Sequence, residues 1–417
     1  MRFHVVGLPH THTNTHYCTC AYTMKVYNFC RMMKSLGHYV YHYGGSKSDT
    51  SICNEHITVR TDAEDQEWFG SWDPFKTWAE LEWDSTKPYW QVTNERSADE
   101  ISKRLEHGDF IGIIGGCCNQ PLTDSLVKGF HIPVEYGIGY YGTYLRNRVF
   151  ESYAQQNVVH GRTKETLSGS AADVVIPNYF DPEMFPVSSD KEDYILFIGR
   201  LIREKGINTA VEVSRMTGKR LLVAGQGAVD HRLGYLKIQG GQEYRAPGLT
   251  YVGVLDTVQR AKVMGEASAV LVPTVYVEPF GGVSVEAQMT GTPVVTTNRG
   301  AFPEIVEHGK TGYRCHSLEQ FVWATRHVNE LDRNYIRKRA ITNWSMWNIR
   351  HKYQAYFEML HRDMYRVWRG GDSEHGNAGW NVPSVMGSGY YFDAAYEPEN
   401  NPDRQTSKPP QAATPKA

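Results

Sequence analysis

From residue 269 to residue 277 the chain is mostly apolar, and it then breaks at Glu278-Pro279-Phe280-Gly281-Gly282 before a second apolar segment at 283–289. A continuous apolar run ended by such a break reads as a buried strand whose turn opens a helix. Glycine carries no Cβ, so a ligand can approach the backbone closely at Gly281 and Gly282. The unpaired N–H groups of a helix start, and the positive end of its dipole, favour an anion such as a phosphate. Glu278 and Glu286 flank this point; a carboxylate repels phosphate but accepts hydrogen bonds from hydroxyls. The pattern therefore suits hydroxyl recognition beside an anion hole, which is what a nucleotide sugar needs. Taken alone, the motif also fits a buried strand, turn and helix whose glutamates face solvent.

The following residues extend the pattern. Residues 287–291, then Thr292-Pro293-Val294-Val295-Thr296-Thr297, Gly300-Ala301-Phe302-Pro303-Glu304-Ile305-Val306 and Gly309-Lys310-Thr311-Gly312 read as a helix, a buried strand, a glycine turn and a short helix. In residue and order this resembles the retaining glycosyltransferases with the GT-B fold, marked by E-x7-E, here Glu278 to Glu286. The resemblance implies an α/β chain with two doubly wound, Rossmann-like domains facing each other across a cleft. The second domain would hold most of the donor.

Upstream, Tyr194-Ile195-Leu196-Phe197-Ile198-Gly199-Arg200 reads as a buried strand, and Lys205-Gly206 precedes a helix at 207–216. Arginine offers a planar fork of donors and lysine a mobile point charge, a combination suited to a diphosphate. On its own the pair also fits an exposed surface. The resemblance implies that Arg200 and Lys205 grip the donor diphosphate, that Glu278 meets the donor sugar and that Glu286 binds the ribose. It makes Arg200, Lys205 and Glu278 the catalytic set. Phe280, Gly281 and Gly282 would contribute amides to phosphate and sugar, with Gly199 beside them. Gly253, in a strand expected at 250–255, would lie near the nucleobase. No metal and no cofactor besides the nucleotide-diphosphate sugar is implied.

The first half is read from pattern. A strand at 3–7, a polar loop at 9–19, apolar positions at helical spacing through Leu36 and a strand at 38–43 form a strand-helix-strand unit, so a parallel sheet is expected. The loop carries His10, His12 and His16, which fit a solvated loop, a phosphate or acceptor contact, or a metal site. Trp68, Trp72, Trp78, Trp83 and Trp90 crowd one stretch; they fit sugar or base stacking, or packing of an irregular insertion. Helices are expected at 99–106 and 146–154, strands at 109–116, 131–140, 157–160 and 219–224, and a loop or short hairpin at 229–247. Val174-Val175-Ile176-Pro177-Asn178 with Asp181-Pro182 and Phe185 resembles the family's crossing between domains. Many members carry a histidine after the strand matching 132–136. This chain has Gly137-Ile138-Gly139 there, so no acceptor-side catalytic residue carries over.

The 417 residues suit two cores. The expected divisions are 1–178 for the acceptor domain, 179–345 for the donor domain, 346–370 for a helix crossing back, and 371–417 for a disordered tail poor in large apolar groups. The net charge of -2 gives no global attraction to nucleic acid or membrane. No apolar stretch approaches the roughly 20 residues of a membrane helix, and MRFHVVGLPH lacks the form of a signal peptide. A cytoplasmic protein with its seven cysteines reduced is expected. Ten lysines and arginines oppose four acids between Arg326 and Arg369, which fits a solvated face or contact with a polyanion. The partner class is a nucleotide-diphosphate sugar with a glycan or other small acceptor. Transfer to hydroxymethylated pyrimidines of DNA, nucleotide-sugar epimerisation and non-catalytic carbohydrate binding are the alternatives.

Overall fold

The computed structural model describes residues 1–76, 81–126, 131–162 and 169–368, with side chains up to 363. The expected tail at 371–417 and Trp78 lie outside the described residues. The first sheet contains β1 (Arg2–Val6), β2 (Tyr39–Gly45), β3 (Glu55–Arg60), β4 (Asp109–Ile113), β5 (His131–Ile138), β6 (Arg148–Phe150) and β7 (Val174–Val175). Their spatial order is β3-β2-β1-β4-β5-β6-β7, and every pairing is parallel.

The later strands are β8 (Tyr194–Ile198), β9 (Arg220–Ala224), β10 (Ala228–Arg232), β11 (Tyr235–Ile238), β12 (Glu243–Arg245), β13 (Leu249–Tyr251), β14 (Ala269–Val272), β15 (Val294–Thr297) and β16 (Gly312–Cys315). A second parallel sheet takes the order β13-β9-β8-β14-β15-β16. Parallel strands covered on both faces need near-continuous apolar sequence, which YILFI of β8 and AVLV of β14 supply. In both sheets the winding reverses beside the first strand, between β1 and β4 and between β8 and β14. The carboxyl ends of the strands at such a reversal form a ligand crevice.

Crossing segments tie the halves together. The Phe180 amide donates to the Trp344 carbonyl at 2.9 Å and the Met346 amide to the Phe180 carbonyl at 2.8 Å, so outgoing and returning chain are paired. The final helix, Met346–Trp368, then buries Tyr353 and Phe357 in the first core. The Phe357 ring lies 4.8 Å from Phe3 and 4.9 Å from Phe110, centroid to centroid.

Several sequence expectations are corrected. The segment at 146–154 is not a helix: β6 forms against β5, and Arg148 pairs with Asp173 at 2.7 Å. Ser152 then caps the helix Tyr153–Gly161, which absorbs the strand expected at 157–160. The helix expected at 99–106 spans Pro88–Arg104, because proline at its first turn starts it early and Trp90 anchors it in the core. Trp68 packs against the same core while Trp83 stays half exposed. The connection at 229–247 is a three-stranded antiparallel sheet, β10-β11-β12.

Much of the basic excess after Arg326 works inside the protein. Arg333 donates to the Ala267 carbonyl, Arg337 to that of Phe185 and Arg339 to that of Ile305. Among the described residues no helix is long and apolar enough to cross a membrane, and all seven cysteines are free.

Truncating a buried phenylalanine to alanine costs about 3–5 kcal/mol. Phe357→Ala is therefore expected to lower stability in urea unfolding by that order; a loss below about 1 kcal/mol would contradict the docking of the final helix on the first sheet.

Candidate active site

The reversal of the second sheet brings three backbone segments close together. After β8 the chain turns through Gly199; after β14 it runs through Pro273 and Thr274 to Glu278. Gly206 (φ +80°) sits where a Cβ would overlap the Pro273 carbonyl, and Gly300 (φ +56°) where one would overlap the Glu278 backbone. Positive φ and close approach both call for glycine there. Gly281 (φ +83°) is the cap of the helix Gly282–Met289. A small cavity of about 60 Å³ lies between these segments, lined by Gly199, Lys205, Thr274, Glu278, Gly281 and Gly282 among others.

Lys205 Nζ donates to Glu278 Oε2 at 2.8 Å, and the same ammonium lies 4.8 Å from the centre of the Tyr276 ring. Burial raises the Tyr276 pKa, the nearby Glu278 carboxylate raises it further, and Arg200 opposes them. Arg200 itself is exposed and its charge reaches Tyr276. Gly199, Lys205, Glu278, Gly281 and Gly282 thus share one crevice, with Arg200 at its rim.

Three other residues singled out from sequence stand beside the cavity rather than in its lining. Glu286 is buried and pairs with Arg260 Nη2 at 3.1 Å. Burial raises its pKa and Arg260 opposes the rise. Phe280 buries its ring in the core near Phe180, so only its backbone is placed to meet a ligand. The strand expected at 250–255 is only β13, so Gly253 lies in the turn beyond it, where its carbonyl accepts the Gly225 amide at 2.9 Å.

Sequence reasoning missed Tyr276, Thr274 and Arg260. Thr274 Oγ1 is buried without a protein partner and its residue lines the cavity. Arg260 lies on the helix Thr257–Glu266 and carried no motif.

On the first domain, the position where a histidine was sought is occupied by a buried cluster. Lys25 Nζ donates to Glu151 Oε2 at 2.5 Å and to the Gly137 carbonyl at 2.8 Å, and Asn178 Nδ2 donates to the same carboxylate at 2.6 Å. A Cβ at Gly139 would overlap the Glu151 carboxylate, which is why that loop is glycine-rich. The 9–19 loop is also not solvated throughout. His10 and His12 are buried, and burial pushes the His10 pKa down to about 3. His12 lies 3.7 Å from Asp65, whose partner Arg60 is buried at 2.9 Å. His16 remains exposed. Among the described residues, no group of three His, Cys, Asp or Glu side chains is placed to hold a metal.

The two domains touch beside the crevice. Ser152 Oγ donates to the Pro279 carbonyl at 2.5 Å, and the amides of Tyr153 and Ala154 donate to the Glu304 carboxylate at 3.0 and 2.9 Å.

The family described as "Glycosyl transferases group 1" matches residues 181–342. A glycogen synthase of Mycobacterium tuberculosis is 34% identical over 157 residues, covering 35% of this chain and 37% of that protein. A phosphatidyl-myo-inositol mannosyltransferase of the same organism is 30% identical over 232 residues, covering 53% of this chain and 56% of its own length. The chain therefore spans between about a third and a little over half of these relatives. The solved structure of AviGT4, a glycosyltransferase involved in avilamycin A biosynthesis, superposes with a TM-score of 0.60 at 18% identity, covering 87% of this chain and 98% of that one. The fold is GT-B, and the matched segment carries the group 1 glycosyltransferase pattern.

Breaking a buried ion pair from one side costs about 3–5 kcal/mol, so Arg260→Ala is expected to unfold earlier in urea. Without the guanidinium, the Glu286 pKa climbs further above its usual value of about 4.3. An acid whose folded-state pKa is raised contributes stability at low pH that is lost as pH rises through that pKa. The deficit of Arg260→Ala should widen as pH rises above about 4.3, and adding Glu286→Gln should flatten it; a deficit independent of pH in the single variant would contradict the pairing.

Proposed function

We propose that the protein is a retaining glycosyltransferase that moves a sugar from a nucleotide-diphosphate donor to a hydroxyl of a glycan or other small acceptor. The observation that carries the reading is the Lys205–Glu278 pair set against the Gly281-Gly282 helix start at the sheet's reversal. Lysine and helix amides suit a diphosphate, and the carboxylates suit hydroxyls. The names of the matched relatives, a glycogen synthase and a mannosyltransferase, support sugar transfer.

In this mechanism Arg200, Lys205 and the amides of Gly281 and Gly282 stabilise the charge that grows on the departing diphosphate. Glu278 accepts hydrogen bonds from the transferred sugar. Glu286, oriented by Arg260, accepts them from the ribose. As the bond from the anomeric carbon to phosphate breaks, the acceptor oxygen bonds to that carbon from the same face, and its proton passes to the departing phosphate oxygen. No side chain then has to act as the base, in keeping with the Gly137-Ile138-Gly139 loop. Arginines already bonded to carbonyls argue against a polyanionic acceptor such as DNA.

The test is mass spectrometry of products from purified protein, a panel of nucleotide sugars and two acceptor sets, neutral glycans and hydroxymethylated DNA. A mass gain on a glycan or small acceptor is expected. Gain on DNA would transfer the reading to that acceptor, and release of free epimerised sugar would refute transferase activity. Removing one donor to a developing oxyanion lowers turnover by about 100- to 1,000-fold, so Lys205→Ala is expected to lose at least that much when assayed at a temperature where the variant is folded. Unchanged turnover would remove Lys205 from the site.

A further inference from the structure

A second cavity, of about 500 Å³, opens at the carboxyl ends of β15 and the edge strand β16. Its volume falls within the roughly 300–1,000 Å³ of small-molecule sites, and none of its lining residues belongs to the donor crevice. Its wall includes Trp323, on the helix Leu318–His327, which keeps 51% of its surface exposed. The indole is nevertheless held in place. His327 stacks on it at 4.2 Å with the rings 19° apart, and Tyr313 meets it edge-on at 5.3 Å. His327 is itself bonded through Nδ1 to the Trp323 carbonyl at 2.7 Å. An aromatic plane fixed in this way loses little freedom when a ligand covers it.

The polar groups of the cavity are oriented as well. Asn298 Oδ1 accepts from Arg314 Nη1 at 3.1 Å, and Gln320 Oε1 accepts from the His316 amide at 2.7 Å. With its oxygen occupied, Gln320 presents its NH₂ group, a donor for hydroxyls. No carboxylate lines the cavity. Arg314 lines the cavity too; its Nη1 is engaged by Asn298 and its Nε is buried without a protein partner.

A pyranose ring has an apolar C–H face and a rim of hydroxyls, which match an indole plane flanked by amides. We propose that this cavity is a binding subsite for a neutral oligosaccharide, separate from the transfer crevice. The choice of a glycan rests on the proposed sugar-transfer function; the cavity and its wall do not.

The test uses the full chain without nucleotide on an array of neutral oligosaccharides, including linear α-glucans, β-glucans and mannans, with tryptophan fluorescence as a second readout. At least one glycan should be retained. Trp323→Ala should weaken it by about tenfold or more, as truncation of an aromatic anchor does, and Gln320→Ala by less. Melting temperature and nucleoside diphosphate binding should stay at wild-type values in both variants. Absence of any retained glycan, or undiminished retention by Trp323→Ala, would overturn the proposal. So would salt-sensitive binding of a heparin fragment that depends on Trp323, since that would make the site anionic in preference. Glycan binding that persists in a protein with no transfer activity would sink the enzymatic reading alone, whereas transfer without Trp323-dependent binding would sink only the subsite.

Discussion

The contact between Lys205 and Glu278 depends on two loops that belong to different βα units of one sheet. Neither side chain reaches the other unless β8 and β14 lie side by side, and they do so only because the winding reverses there. The ion pair is thus a product of topology. Glycines at 206 and 300 then let the flanking backbones come close enough for the lysine and the carboxylate to meet at 2.8 Å. Each partner keeps the other's charge compensated in a partly buried setting, where an isolated charge would be disfavoured.

From that crevice outward, the molecule is layered by what each charge must do. Glu286 lies one helical turn further in, fully dependent on Arg260. Arg200 stays at the rim, exposed to solvent. On the opposite domain the Lys25, Glu151 and Asn178 cluster repeats the same solution: a buried charge kept by its counter-charge and by an amide donor. A polar cluster of this kind is costly to leave half satisfied, so it fixes the loop that carries it.

How much of this could be read from the residues follows from the range of the interactions. The buried strands β8 and β14 were legible because parallel strands advertise themselves as unbroken apolar runs. Glu278, Gly281 and Gly282 were legible because a strand end and a helix start are local events. Lys205 joined them through a resemblance rather than by any spacing. Arg260 was invisible: a lone arginine on an amphipathic helix looks like surface until Glu286 is found behind it. The Lys25–Glu151 pair joins residues 126 positions apart in the chain, with no local pattern to announce it. The helix expected at 146–154 failed because β6 is only three residues long and is fixed by its neighbours, β5 and β7. His10 and His12 looked solvated because the loop is polar; burial comes from packing around Arg60 and Trp72.

The seam between the domains has a mechanical side. Glu304 of one half sits on the first amides of a helix in the other half, where the helix dipole favours a carboxylate, and Ser152 grips the carbonyl of Pro279, the neighbour of Glu278. Any swing that parts the halves must uncap that helix and tug on the same peptide that orients the crevice's acid. The clasp and the grip are cut from one piece of chain, so the pocket cannot feel the hinge move without changing shape itself.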